Sequence, residues 1–291
     1  MKQQFEAVKF SSKTAAKLEH AIKILDEYGE QGYVLTLRQL YYQLVSRAII
    51  PNNLKEYSKL SYLLVKARMG GYVDWSAIED RLRRPDLPYW CIDIPDALED
   101  TIGQYRLNRQ RGQANYIEVW VEKDALSGVL KRITEEYHIR LCVNRGYSSA
   151  TAMYNAARRL RRYPNSHIIY LGDHDPSGLD MIRDIEDRLE QFDCYPTVHR
   201  LALTSEQIEE HDPPPNPAKW KDTRAEKYIA QFGEVCWEVD ALPPDVLSET
   251  LQNAILGLID IDKFEAVKER EIEDKVKLNE FVDRIKEEDD E

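Results

Sequence analysis

Three carboxylates follow short apolar segments of the sequence, and together they could hold a metal ion. Glu122 comes directly after YIEVWV, and Asp173 and Asp175 come shortly after the apolar run 167–171. Carboxylates packed together repel one another, and a buried cluster keeps its protons unless a cation neutralises the charge. Hard oxygen ligands of this kind suit Mg²⁺, which keeps several waters that substrate phosphates can replace. The sequence therefore predicts a magnesium site that acts on phosphate groups.

Predicted strands alternate with predicted helices around these carboxylates. The predicted strands are residues 116–121, 138–143 and 167–171, and the helices between them are residues 125–136 and 148–162. Such alternation is typical of βαβ units, in which parallel strands end at one edge of a sheet. We therefore expect the three carboxylates to converge at that edge.

Helix capping is the alternative role for two of these carboxylates. Asp173 and Asp175 could cap the helix that follows them or form Asx turns. The additional acid at the end of an earlier strand, Glu122, favours the metal site. His174 would point away from its neighbours on an extended segment, so we do not expect it to be a ligand.

A second candidate is a tyrosine near the N-terminus. Thr36 and Gln39 fit a capping box that predicts a helix over residues 37–47. Helical periodicity places Tyr41 on the core stripe and Tyr42 off it, one turn from Arg38. A fixed cation beside a phenol favours the phenolate and makes nucleophilic attack on phosphorus plausible. Packing is the alternative role, since Tyr42 is one of 17 tyrosines.

Basic side chains recur at helical spacing in the next predicted helix, residues 54–69. They form one face with an aromatic residue among them: Lys55, Lys59, Tyr62 and Lys66. Such a face could contact successive DNA phosphates, although solvated lysines are the common alternative. A second basic cluster is equally ambiguous and comprises Arg158, Arg159, Arg161 and Arg162.

The first third of the chain is predicted to be helical. The first 30 residues suggest one amphipathic helix, with Ala16, Leu18, Ala21, Ile22 and Leu25 on its apolar period. After the helices at residues 37–47 and 54–69, a short strand is expected at residues 72–75. Helix, turn, helix, strand is the order of a winged-helix DNA-binding unit, though other helical domains share it. Farther on, we expect a rigid proline-rich loop at residues 211–217 and a charged helix over the last thirty residues.

Composition does not exclude a nucleic-acid partner, although the net charge is −12. Residues 262–291 hold 13 acidic and 7 basic side chains, whereas residues 31–84 hold 9 basic and 4 acidic ones. Local sign matters more than the total for phosphate contacts. The four cysteines form no CxxC pair, and no apolar run reaches the roughly 20 residues that span a bilayer. We expect a cytoplasmic, nucleoid-associated protein with no membrane contact.

The carboxylate motifs resemble a known signature. Glu122 in VEKDAL, together with GDHDPSG at residues 172–178, resembles the Toprim signature of topoisomerases, primases and related nucleases. The closer resemblance is to the A subunit of type IIB topoisomerases (topoisomerase VI) and the meiotic double-strand-break proteins. RQLYY at residues 38–42 resembles their Arg-x-x-Tyr/Phe-Tyr motif, and WEVDAL at residues 237–242 their Glu-x-Glu/Gln-Ala-Leu stretch. RGYS at residues 145–148 resembles their Gly-Tyr/Phe-Pro segment, with Ser148 in place of the proline. The resemblance covers residues 36–242.

This resemblance implies an α/β chain in three parts. They are a winged-helix-like helical domain (residues 1–110), a Toprim domain with a mainly parallel sheet (residues 111–260) and an acidic C-terminal helix or tail (residues 261–291). It implies that Tyr42, supported by Arg38, attacks a DNA phosphate and leaves a 5′-phosphotyrosyl link. Glu122, Asp173 and Asp175 would hold Mg²⁺, and Glu122 would also exchange a proton with the leaving 3′ oxygen.

The resemblance also implies partners. The substrate would be double-stranded DNA, and a homodimer would pair the tyrosine of one subunit with the metal of the other. No GxxxxGK[ST] motif is present, so strand passage would need a separate ATPase subunit. Two alternatives stay open: a Toprim nuclease that uses metal-activated water while Tyr42 is only structural, and a non-catalytic DNA-binding protein.

Overall fold

The fold mixes helices with a parallel sheet. The computed structural model describes residues 2–79, 88–144, 148–217 and 224–289. Its helices are α1 (Ser12–Glu30), α2 (Leu37–Ser46), α3 (Leu54–Met69), α4 (Ile94–Gln104), α5 (Ser127–Glu136), α6 (Ala150–Leu160), α7 (Pro176–Glu190), α8 (Ser205–His211), α9 (Ala225–Phe232), α10 (Pro244–Leu256) and α11 (Ile261–Asp289). Its strands are β1 (Leu35–Thr36), β2 (Ile78–Glu79), β3 (Tyr116–Val121), β4 (Arg140–Val143), β5 (Ser166–Leu171), β6 (Thr197–Ala202), β7 (Asn216–Pro217) and β8 (Val235–Cys236).

Four strands form one sheet in the order β4-β3-β5-β6, with each neighbouring pair parallel. Every residue of the central strand β3 is buried, because helices cover both faces of the sheet. Side chains of α5 and α10 pack with one face, and side chains of α6 and α7 pack with the other. The predicted α/β class with a parallel sheet is therefore confirmed.

The N-terminal helices α1, α2 and α3 enclose a hydrophobic core of their own. The predicted capping box starts α2: the Gln39 N–H donates to Thr36 Oγ1 at 3.3 Å, and the Thr36 N–H donates to Gln39 Oε1 at 2.8 Å. One distant residue, Ala241, packs into this core. The segment around Ala241 therefore joins the N-terminal helices to the rest of the chain.

Two local predictions about the N-terminal region were wrong. Residues 72–75 do not form a strand: the Asp74 carboxylate accepts the Ser76 N–H at 2.9 Å and starts a 3₁₀ turn, Trp75–Ala77. The strand lies just beyond, at β2, and pairs in parallel with β1. The first helix begins at Ser12, where Ser11 caps it, and Ala16 on its predicted apolar stripe is exposed.

The charged C-terminal helix α11 packs against α4 and the residues that follow it. Tyr105 Oη donates to an Asp274 carboxylate oxygen at 2.9 Å, and the Leu107 N–H donates to Glu271 Oε2 at 2.9 Å. Phe264 and Val282 of this helix are buried. In the described part of the chain, none of the helices is long and apolar enough to cross a membrane.

Candidate functional site

Two of the predicted carboxylates meet at the carboxyl edge of the sheet. The last residues of β3 and β5, Val121 and Leu171, are register partners, so the residues after them leave the sheet side by side. The Asp173 N–H donates to Glu122 Oε2 at 3.0 Å, and Tyr170 Oη donates to the same oxygen at 3.3 Å. Glu122 therefore meets the backbone of Asp173 at this edge, whereas the Asp173 carboxylate accepts the Val239 N–H at 2.9 Å and lies 2.7 Å from the Lys123 ammonium.

The surroundings of this pair disfavour negative charge. Burial raises the pKa of Glu122, and the neighbouring charges of Asp173 and Asp175 raise it further. Burial also raises the pKa of Asp173, although the Lys123 ammonium partly offsets the rise. A bound cation would stabilise the ionised form of these two partly desolvated carboxylates.

Asp175 has the capping role that the sequence left open. Its side chain accepts the Gly178 N–H at 2.6 Å and caps α7. A Cβ added at Gly178 would lie 2.1 Å from the Asp173 carbonyl oxygen, so this glycine is a steric requirement of the turn. The capping also holds the Asp175 carboxylate beside the Glu122–Asp173 pair.

His174 points away from the carboxylates, as its alternation on an extended segment predicts. Its Nδ1 lies 2.9 Å from Tyr228 Oη, and its ring packs edge-on against Phe232 and Trp237. An isolated backbone bridge to Trp237 fixes this segment. The histidine is therefore a packing residue of the loop.

The donor chemistry fits a hard divalent cation. In the part of the chain that the structure describes, no group of three or more His, Cys, Asp or Glu side chains is arranged to hold a metal ion. Mg²⁺ needs only one or two protein carboxylates, so Glu122 and Asp173 are the residues that would hold it. Nζ of Lys123 lies 2.7 Å from Asp173 Oδ1, so an ammonium competes for one of the oxygens.

Lys123 had no role in the sequence-based predictions, yet it is the centre of a buried ion cluster. Its Nζ lies 2.7 Å from Asp173, 2.8 Å from Glu238 and 2.9 Å from Asp240. Burial alone would lower the pKa of Lys123, but Asp240 and Asp173 outweigh burial and raise it. The ammonium is therefore held charged beside the carboxylate pair.

Arg38 completes this cluster from the N-terminal helices. Its Nε lies 2.7 Å from Asp240 Oδ2, and its guanidinium also contacts Glu238. We call Arg38, Lys123, Asp173, Glu238 and Asp240 the ion cluster. Two of its three acids, Glu238 and Asp240, flank a single valine in the WEVDAL segment.

Tyr42 lies beside Arg38 but is not on an open face of α2. The Arg38 Cζ is 5.7 Å from the Tyr42 ring centroid, as the helical spacing predicts. The expectation that Tyr42 lies off the buried side is wrong, since only 4% of it is exposed. Segments from far along the chain cover this second face, and Asn216 Nδ2 donates to Tyr42 Oη at 3.4 Å. Burial raises the pKa of Tyr42, and Arg38 offsets only part of the rise.

The neighbouring tyrosine is tied to the same loop. Tyr41 Oη donates to Asn52 Oδ1 at 2.9 Å, and Asn52 Nδ2 donates in turn to Asn216 Oδ1 at 3.0 Å. A polar chain thus runs from Tyr41 through two asparagines to Tyr42. Asn216 thus links both tyrosines to the segment predicted as a rigid proline-rich loop, in which His211 ends α8 and Asn216–Pro217 form β7.

The predicted lysine face lines a groove of about 860 Å³ between α1 and α3. Two of its lysines are paired: Lys59 lies 2.6 Å from Glu56, and Lys66 lies 3.0 Å from Glu6. Lys55 is exposed on the same helix. The groove also receives Lys13 and Lys17 of α1, which the sequence-based prediction did not include. In the RGYS segment, residues 145–147 lie outside the described residues.

Comparisons with known proteins add no identification. No protein-family model matches the sequence, and a search of curated proteins also gave no match. The chemistry of the site must therefore be inferred from its own residues. Paired carboxylates, an ammonium, a guanidinium and a phenol lie in one region, a set that suits phosphate-ester chemistry.

Proposed function

We propose that this chain cleaves DNA by magnesium-dependent transesterification, with Tyr42 as the nucleophile, in the manner of a type IIB topoisomerase A subunit. The observation that carries the proposal is the ion cluster. Arg38, one helical turn from Tyr42, and Asp173, at the end of β5, belong to the same set of contacts through Lys123 and Asp240. The candidate nucleophile and the candidate metal ligands therefore share one electrostatic environment.

In this proposal Glu122 and Asp173 hold Mg²⁺, with Asp175 beside them. The ion would stabilise negative charge on the reacting phosphate. The sheet with its strand-end acids would be Toprim-like, and α2 with α3 would belong to a winged-helix-like unit. Gly178, whose N–H donates to Asp175, is the glycine of the DxDPxG motif. The turn leaves no room for a side chain at this position.

The covalent step requires a phenolate, an electrophilic phosphorus and a protonated leaving group. The Tyr42 hydroxyl would lose its proton to solvent and attack phosphorus, and the bond from phosphorus to the 3′ oxygen would break. Arg38 lowers the cost of the phenolate, since it offsets part of the effect of burial on the Tyr42 pKa. The leaving 3′ oxygen would take its proton from solvent, because Glu122 would be a carboxylate while it holds the cation.

Tyr42 would have to be uncovered before it meets a phosphate. Asn216 Nδ2, from the loop that follows α8, donates to its hydroxyl at 3.4 Å, and only 4% of the residue is exposed. Displacement of this loop by DNA would expose the hydroxyl while Arg38 stays fixed by Asp240. The groove with Lys55, Lys59 and Lys66 would contact the DNA backbone. The enzyme would be a homodimer, and a separate chain would supply the ATPase subunit.

Hydrolysis by a Toprim-type nuclease is the second candidate, and the burial of Tyr42 favours it. In that case the tyrosine packs and a water molecule attacks the phosphate. The test is to incubate the protein with supercoiled plasmid and Mg²⁺, stop the reaction with detergent, and look for DNA joined to protein. Transesterification gives a covalent adduct at the 5′ end. Cut DNA without any adduct would overturn the proposal in favour of hydrolysis.

A further inference from the structure

A group of arginines lies at the opposite, amino edge of the sheet. Arg140 begins β4, and Arg158 and Arg162 lie at the end of α6 and just after it, on one helical face with Asn155. Arg111 and Arg140 line a neighbouring groove of about 820 Å³ that also receives the start of β3. We call Arg111, Arg140, Arg158 and Arg162 the arginine surface.

A buried carboxylate links the two parts of this surface. Glu118 is fully buried in the middle of β3 and accepts two hydrogen bonds from Arg159, at 2.9 and 3.1 Å. Arg140 Nε lies 3.7 Å from the same carboxylate. Paired contacts of this kind fix a guanidinium in one orientation. Glu118 therefore holds Arg159 of α6 and Arg140 of β4 close to each other.

Within the described residues, Arg140 is the one member of the arginine surface with a carboxylate nearby, at 3.7 Å from Glu118. None of the described residues that line the groove of about 820 Å³ is acidic, and the same holds for the smaller hollow beside Arg158 and Arg162. Within the described ranges, Arg111, Arg158 and Arg162 have no carboxylate partner. On the next helix, by contrast, Arg183 pairs with Asp180 and Asp187. In a chain of net charge −12, this concentration of unneutralised arginine is a local exception.

The chemistry of the surface suits phosphate groups on a polymer. Guanidinium groups bind phosphate oxygens through two parallel hydrogen bonds and are more weakly hydrated than ammonium groups. Two stacked tyrosines, Tyr116 and Tyr163, lie in the same groove with ring centroids 4.0 Å apart. The ring of Tyr163 is 42% exposed and could contact a sugar or base.

We propose that the arginine surface is a second DNA-binding site, which holds the duplex backbone away from the point of cleavage. This inference rests on the proposed function. A strand of six residues such as β3 is about 20 Å long, and α6 spans about 16 Å, so the two edges are separated by roughly this distance. At about 3.4 Å per base pair, DNA that contacts both edges must continue about six base pairs past the cleavage point. A duplex of 10 base pairs centred on the cleavage point extends only about five base pairs, about 17 Å, to each side and stops short of the second edge, so longer duplexes should bind better.

The test is equilibrium binding of the full chain to labelled duplexes of 10 and 40 base pairs, in EDTA, at several salt concentrations. The variant is Arg158→Gln with Arg162→Gln. The matched control is Arg183→Gln with Arg188→Gln, which removes the same charge from α7, where both arginines are already paired. The arginine-surface variant should bind the long duplex at least about tenfold more weakly at 0.1 M salt. The slope of log affinity against log salt should fall by about two. The affinity of the control variant for both duplexes should change little, and so should the affinity of the arginine-surface variant for the short duplex.

The outcomes separate this inference from the proposed function. If the arginine-surface variant binds both duplexes like wild type and still forms the covalent adduct, the second site is wrong and the cleavage proposal stands. If binding depends on the arginines but no DNA is ever cut, the second site stands and the cleavage proposal fails. Wild-type protein that binds neither duplex contradicts both. Displacement of the long duplex by poly-glutamate at equal charge would also overturn the inference, because the surface would then prefer an acidic polypeptide.

Discussion

Arg38 Nε lies 2.7 Å from Oδ2 of Asp240, a side chain with no exposed surface. This contact joins the helix that carries Tyr42 to a residue 202 positions farther along the chain. Lys123 binds the same carboxylate at 2.9 Å and also binds Asp173. The contact therefore fixes the N-terminal helices against the carboxyl edge of the sheet.

Tyr42→Phe should abolish both the covalent adduct and DNA cleavage, because the change removes only the attacking hydroxyl and keeps the ring. Tyr41→Phe is the matched control on the same helix, with equal burial. It loses the hydrogen bond to Asn52, which costs about 1 kcal/mol of stability, and should retain most of the activity. Both proteins are compared in the detergent-stopped plasmid assay. Full cleavage by Tyr42→Phe would assign the tyrosine a packing role only.

Asp173→Asn and Glu122→Gln should each abolish Mg²⁺-dependent cleavage while the protein stays folded. Glu122→Gln removes a charge that its neighbours repel, so little stability is lost, whereas Asp173→Asn also loses the ion pair with Lys123 and should be the less stable of the two. Asp175→Ala should also be inactive, at an additional cost of about 1 kcal/mol because it removes the cap of α7. Thermal unfolding measured beside plasmid cleavage separates the two effects. Undiminished cleavage by Asp173→Asn would exclude the proposed metal site.

Lys123→Met should destabilise the protein by about 3–5 kcal/mol, because it leaves buried carboxylates without their shared cation. Lys131→Met is the control, since Lys131 forms an exposed pair with Glu135 on α5 and should change stability by less than about 1 kcal/mol. Urea unfolding of both variants gives the comparison. Equal stabilities would mean that the ion cluster does not hold the two parts of the chain together.

A mixture of Tyr42→Phe and Asp173→Ala proteins should nick supercoiled plasmid if the tyrosine of one subunit acts at the carboxylates of its partner. Each heterodimer would contain one intact composite site, whereas each variant alone contains none. Subunit exchange is checked by sizing of tagged chains. Heterodimers that form but never nick would show that Tyr42 serves the carboxylates of its own chain, to which Arg38 is already linked.

Glu271 should make the docking of α11 sensitive to acid. Burial opposes its ionisation, but hydrogen bonds from the Leu107 N–H and Arg109 outweigh burial and lower its pKa below 4.5. The carboxylate therefore stabilises the fold fully above about pH 5, and this stability is lost as pH falls through 4.5 and towards the lower folded-state pKa. Glu271→Gln should cost about 1–3 kcal/mol at pH 7 and progressively less below pH 4.5.

The control for this prediction is Glu273→Gln, an exposed position on the same helix that should stay within about 0.5 kcal/mol of wild type at every pH. Unfolding in urea between pH 3 and pH 8 measures both variants. A cost for Glu271→Gln that is the same at all pH values would show that packing, and not charge, docks the helix.

Local features of the sequence were sufficient to predict much of the fold. The strand Tyr116–Val121 and the helix Leu54–Met69 have the predicted ends, and the capping box starts α2 where expected. These elements depend on hydrophobic period and on hydrogen bonds within three or four residues, which neighbouring side chains fix. The meeting of Glu122 and Asp173 followed as well, because parallel strands end at one edge of a sheet.

Tertiary structure alone decided how the site is completed. Periodicity placed Tyr42 off the core stripe of its helix, yet Asn216 and its loop cover that second face from 174 residues away. Likewise, Lys123 and Arg38 bind Asp240, which lies 117 and 202 positions farther along the chain, and no local pattern predicts such a pairing. A helix's own sequence specifies which side chains share a face. Which faces are buried, and which charges meet there, depends on segments that approach only when the whole chain has folded.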